Sequence, residues 1–152
     1  MQLEIKAQIQ IAKSPEEVYN AIVNPEQMRN YFISNSTGPM IANTTIQWQF
    51  PEFDMKVPVK VGDLKPGEYI SYYWDEADDK QLLVEMNLVP AENNSTHIII
   101  TEKAMDDNEA GIAWLKRNTE GWANFLACLK AWLEFGINLR KGAFDFMRQH
   151  SN

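Results

Sequence analysis

Apolar and polar residues alternate from the start of the chain: Leu3, Ile5, Ala7, Ile9 and Ile11 are interleaved with Glu4, Lys6, Gln8 and Gln10. A period of two over that length predicts a strand with one buried and one wet face. The next segment, KSPEEVYNAIVNPEQMRNYF, changes period. Ser14 with Glu17 three residues on forms a capping box, and Pro15 sits where its missing N–H costs nothing. Val18, Tyr19 and Ile22 then make a short apolar stripe. Asn24-Pro25-Glu26-Gln27 repeats the device. Two short helices joined by a bend are predicted, the second ending in Met28, Tyr31 and Phe32.

Period two returns between residues 40 and 103. Ile46, Trp48 and Phe50 alternate with Gln47 and Gln49, and Met55, Val57, Val59 and Val61 with Lys56, Pro58 and Lys60. Ile70, Tyr72 and Trp74 follow, then Leu82, Val84, Met86 and Leu88, then THIIITE. Pro58 lacks a ladder donor, so its strand is expected at an edge or with a bulge. Turn signals fall at Lys65-Pro66-Gly67, at DEADDK (75–80) and at Glu92-Asn93-Asn94. Short links between successive strands favour an antiparallel meander. Residues 104–113 are polar and read as a loop or a frayed helix start.

The stretch GWANFLACLKAWLEFG predicts a long helix. At about 100° per residue, Leu115, Trp122, Leu126, Leu129 and Leu133 share one face. Phe125 and Trp132 widen it, Cys128 and Phe135 widen it further, and Lys130 and Glu134 mark the wet side. An apolar arc of half the circumference must be contacted from more than one direction. In the tail, INLRKGAFDFMRQHSN, Phe144, Phe146 and Met147 stand among charges. Two roles are open to it: packing back on the exposed helix flank, or mediating homodimerisation.

Length and composition then bound the class. With 152 residues, 45% of them hydrophobic, one α+β domain spanning 1–152 is expected. A net charge of −7 argues against nucleic acid and anionic membranes, which need clustered Lys and Arg. The lone Cys128 excludes an internal disulfide. No signal-peptide core or membrane span is evident, so a cytoplasmic location is expected, and the Asn35, Asn43 and Asn94 glycosylation-like triplets read as chance.

Candidate chemistry is sparse. His97 lies mid-strand on the outer face if Ile98 and Ile100 point inward, His150 lies in the tail, and Cys128 lies among apolar helix residues. No metal, nucleotide or cofactor signature is present, and DEADDK lacks the glycine and closing glutamate of a calcium loop. Glu102, in register with Ile98 and Ile100, is the one catalytic candidate: it reads either as an exposed strand end or as a carboxylate at a cavity mouth. Glu85 is out of register and reads as surface. Trp48, Tyr72 and Trp74 fall on the inner face of the sheet, opposite Trp122 and Phe125, either as core filler or as the lining of a pocket.

The pieces SPEEVYNAIVNPEQMRNYF, YISYYW, THIIITE and EGWANFLACLKAWLEFG, in that order and spacing, resemble the helix-grip superfamily, also called START or SRPBCC. Within it they resemble the branch named for activators of the heat-shock-protein-90 ATPase, over about residues 3–136. The resemblance implies a curved antiparallel β-sheet wrapped around a long C-terminal α-helix, with two short helices after the first strand. It implies a deep apolar cavity between sheet and helix, used for hydrophobic or amphipathic small molecules. Here such a cavity would be lined by Phe32, Trp48, Val59, Tyr72, Trp74, Met86, Ile100, Trp122, Phe125, Leu126 and Leu129. The expected function is non-enzymatic binding of such a molecule, with the short helices or the Ser34–Met40 loop moving to admit it. Two alternatives stand beside it. One is a co-chaperone-type module, expected to expose Phe135, Phe144 and Phe146, although the longer co-chaperones carry an N-terminal domain with no counterpart before the first strand here. The other is a cyclase- or hydrolase-like enzyme using the same cavity.

Overall fold

The computed structural model describes residues 1–76 and 80–150. The centre of the predicted acidic turn, 77–79, and the side chain of His150 lie outside the described residues. Strand β1 (Gln2–Ile11) leads into helices α1 (Pro15–Val23) and α2 (Pro25–Met28). Strands β2 (Asn35–Ser36), β3 (Thr45–Gln49), β4 (Lys56–Lys65), β5 (Tyr69–Glu76), β6 (Lys80–Ala91) and β7 (Ser95–Asp106) follow. Helix α3 (Glu109–Phe135) and a 3-10 helix at Asp145–His150 complete the order.

The strands form one antiparallel sheet in the order β1-β7-β6-β5-β4-β3-β2. The meander runs in sequence from β2 to β7, and β1 closes it by pairing with β7. Alternation places Ile46, Trp48, Val59, Val61, Ile70, Tyr72, Val84, Met86, Ile98 and Ile100 on the inner face, all buried. Against them α3 sets Trp114, Trp122, Phe125, Leu126, Cys128 and Leu129. This is the α+β helix-grip architecture.

The caps are the ones the sequence signals. Ser14 Oγ accepts from Glu17 N at 3.2 Å, and Asn24 Oδ1 accepts from Glu26 N at 3.0 Å. Gly136 ends α3 in the left-handed region at φ 66°, where a side chain would be strained. The wide apolar arc of α3 has a second cover beside the sheet. The α2 end and the turn after it supply it: Tyr31 and Phe32 meet Phe125 edge-on at 5.6 and 4.7 Å, and Trp132 Nε1 donates to Gln27 Oε1 at 2.9 Å.

Three expectations need correction. Of the two readings of residues 104–113, the helix start holds and the loop does not: β7 runs to Asp106 and α3 starts at Glu109, capped by Asn108, whose side chain accepts from Gly111 N at 2.9 Å. A Cβ on Gly111 would lie 1.8 Å from Asp106 O, so only glycine permits this abrupt turn. Strand β4 is not an edge, since it pairs with both β3 and β5. Pairing with β5 begins only at Val59, so Pro58 stands just past the end of that ladder, and the irregularity falls later, between Val61 and Leu64. The Ser34–Met40 segment is a bonded sheet edge rather than a free loop: Ser34 N donates to Gln49 O and Thr37 N to Gln47 O, while Met40 N donates to Val23 O.

Candidate functional site

The inner face of β4 grades from core to rim. Val59 and Val61 are buried, Val57 is half-buried and Met55, just before the strand, is exposed. On β5, Ile70 and Tyr72 are buried while Trp74 is half-buried, and on α3 Phe125 is buried while Gly121, one turn earlier, is exposed. Three apolar faces thus run past the end of the filled core, and the space between them is a cavity of about 600 Å³. Phe32, Phe50, Phe53, Met55, Val57, Trp74, Trp122, Phe144, Phe146 and Met147 supply its apolar wall. Asp75, Arg117, Asn118, Glu120, Asn124 and Arg140 supply the polar groups, and Gly121 leaves bare backbone, with nothing within 4 Å of where its Cβ would be.

Behind this wall lies Glu102. Its neighbours in register, Val84 on β6 and Ile5 on β1, are apolar, and its exposure is 0%. The carboxylate accepts from Trp74 Nε1 at 2.7 Å, Trp122 Nε1 at 2.8 Å and Asn118 Nδ2 at 3.3 Å. It is therefore neither an exposed strand end nor a group at the cavity mouth. An indole N–H can only donate, so the buried carboxylate fixes both tryptophans from behind, with ring centroids 5.6 Å apart and planes at 33°. Tyr72 lies deeper. Its hydroxyl has no hydrogen-bond partner among the described residues, and burial, reinforced by the Glu102 and Tyr31 charges, holds its phenol well above the ordinary value of 10.0.

The tail forms the opposite wall. Arg140 Nη2 donates to Glu52 Oε1 at 2.6 Å, and the Glu52 side chain is only 3% exposed. The Arg140 guanidinium also lies over the rings of Phe32, Phe50 and Phe144, 4.8 Å from the last centroid. Arg148 Nη2 donates to Pro51 O at 2.8 Å. The tail is therefore pinned to the β3–β4 connection and brings Phe144, Phe146 and Met147 over the cavity, rather than onto the flank of α3. Phe144 is half-buried there, while Phe135 and Phe146 are exposed.

Of the eleven lining residues expected from sequence, Phe32, Trp74 and Trp122 reach this cavity. Trp48, Val59, Tyr72, Met86, Ile100, Phe125, Leu126 and Leu129 lie deeper and are at most 1% exposed, so they fill the core. The cavity borders the β3–β4 connection and the tail, and no residue of Ser34–Met40 lines it. Sequence reasoning passed over Phe53, Arg117, Gly121 and Arg140 as lining, although Met55 and Val57, in phase with Val59, carried the signal that the inner face continues to a rim. The other sites are quiet. His97 is on the outer face, its Nε2 2.9 Å from Gln8 Oε1, and Glu85 pairs with Lys103 and accepts from Tyr69. Burial pushes the Cys128 thiol upward, away from reactive thiolate character. Among the described residues no acidic, histidine or cysteine cluster could hold a metal ion, and no helix is long and apolar enough to cross a membrane.

A family model described as Activator of Hsp90 ATPase homolog 1-like protein matches residues 12–134. The chain belongs to that family. Solved structures similar to this Activator of Hsp90 ATPase homolog 1-like chain share its fold. A protein from Staphylococcus saprophyticus is 24% identical with a TM-score of 0.78, over 89% of this chain and 94% of that one. The Aha1 dimer from Colwellia psychrerythraea is 23% identical with a TM-score of 0.76, over 88% and 98%. DynU16, a protein of the dynemicin biosynthetic locus, is 16% identical with a TM-score of 0.78, over 89% of this chain and 48% of its own. No curated protein matches the chain.

Proposed function

We propose that this chain is a single START/SRPBCC-like domain that binds a small hydrophobic or amphipathic molecule in the cytoplasm without transforming it. The observation that carries this reading is the cavity of about 600 Å³, walled by aromatic and methionine side chains and left open beside the buried core. That volume is in the usual range for ligand sites, and convergent polar groups at its edge suit orientation of a bound molecule. Binding would be driven by removal of apolar area from water, about 25 cal/mol per Å², with ordering of ligand and tail opposing it. Native mass spectrometry of freshly purified protein should detect a retained small molecule and, in the same spectrum, count the subunits. The count bears on homodimerisation, since the Colwellia relative is described as a dimer. A bare mass, together with no thermal shift across a hydrophobic library, would remove the reading.

The family match also supports a second reading, a protein-interaction module acting on an Hsp90 ATPase. Exposed Phe135, Ile137 and Leu139 at the end of α3 offer it a surface. An unchanged chaperone ATPase at saturating protein would end it. The cyclase- or hydrolase-like alternative would use Glu102 or a tyrosine of the same cavity; Glu102 has no exposed surface and is held behind the two tryptophans, and Tyr72 is equally buried, so neither supports it.

A further inference from the structure

Beside the aromatic cavity lies a second, smaller one of about 250 Å³, and Phe32 and Arg140 belong to both. Its character is different. Arg29, Arg140, Lys141 and Arg148 line it against Glu52 and Asp145, in a chain whose net charge is −7. Glu52 is already committed to Arg140, and Asp145 faces Arg148 at 3.9 Å. Arg29 and Lys141 form no ion pair among the described residues, and the Arg29 side chain makes only a 3.3 Å hydrogen bond, to Asn35 Oδ1. The Arg140 Nε–H, at the junction of the two spaces, is buried without a partner among the described residues. A local excess of cations has thus been gathered where the protein as a whole repels anions.

We infer that the ligand is an amphipathic anion: its apolar body lies in the aromatic cavity and its charged head reaches the basic concavity across Arg140. This rests on the binder reading and adds to it the sign of the head group. The chemistry required is an acidic oxygen group, such as a carboxylate, sulfonate or phosphate, joined to a ring or chain of several carbons. A free inorganic anion would satisfy the small cavity but leave the large one empty.

Two dyes of nearly the same skeleton test it. 1-Anilinonaphthalene-8-sulfonate carries an anionic head, and N-phenyl-1-naphthylamine does not. In fluorescence titrations the sulfonate should bind at least about tenfold more tightly, a preference that weakens as salt screens the head group. Arg29→Gln combined with Lys141→Gln, both exposed positions, should weaken the sulfonate about three- to tenfold, as expected for a pair of solvent-exposed ion contacts, and leave the neutral dye unchanged. Trp74→Ala should weaken both dyes. Equal affinities for the two dyes, or a sulfonate indifferent to the double substitution, would overturn the anionic head while leaving the binder reading intact. Binding of neither dye to the native protein would remove both. Competition against the sulfonate by inorganic phosphate at about equal potency to dodecanoate would assign the basic concavity to free anions and overturn the amphipathic ligand.

Discussion

Glu102 shows how one polar side chain can organise an apolar interior. With a buried indole donor, a half-buried one and an amide aimed at it, its removal leaves donors stranded as well as a carboxylate lost. Each unsatisfied buried donor costs about 1–3 kcal/mol. Glu102→Leu should therefore lower stability in urea by about 3 kcal/mol or more. Glu102→Gln, which sets an amide N–H2 against one indole N–H while its oxygen still accepts from the other, should lose about 2 kcal/mol and shift tryptophan emission as one of Trp74 and Trp122 loses its partner. The inward position of Glu102 was legible from its phase with Ile98 and Ile100. Its partners were not, because 28 and 20 residues of chain separate it from Trp74 and Trp122, and no local period reports contacts across that distance.

At the scale of elements, strands and helices announce themselves through period and caps, which is why β1, β3–β7, α1 and α2 were readable. The tail has no period. Its course depends on Arg140 finding a buried carboxylate 88 residues earlier, which a sequence does not display. Arg140→Ala would leave Glu52 buried and unpaired, at a cost of about 3–5 kcal/mol unless the tail detaches. Detachment is the expected outcome: amide hydrogen exchange should accelerate across residues 137–148 while β5–β7 keep their protection. Any bound dye should leave faster in that variant. Trp114, too, escaped notice, since the polar run before it disguised where α3 begins; it is nonetheless 1% exposed.

Across the whole molecule, two contacts illustrate how stability depends on pH. The Glu134 carboxylate accepts from Ala12 N at 2.9 Å and pairs with Lys130, tying the end of β1 to the last turn of α3. Those bonds hold it below its ordinary value of 4.5. A lowered folded-state value means the contribution is present above pH 4.5 and is lost as pH falls further, so Glu134→Gln should flatten the acid limb of a stability–pH curve. At the other end, burial and the Glu85 contact push Tyr69 from 10.0 up to about 12. Its share of stability should be intact below pH 10 and decline toward pH 12. Stability is not the only quantity the sequence serves, however. Gly121 sits inside a 27-residue helix with open space where a methyl group would go. Glycine there costs about 1 kcal/mol relative to alanine, and no crowding demands it. Gly121→Ala should therefore raise the melting temperature, whereas Gly121→Leu should remain folded and admit neither dye. The bare backbone beside the hollow thus comes at the expense of helix strength, and bulk at this one position, rather than a sturdier helix, is what would blind it.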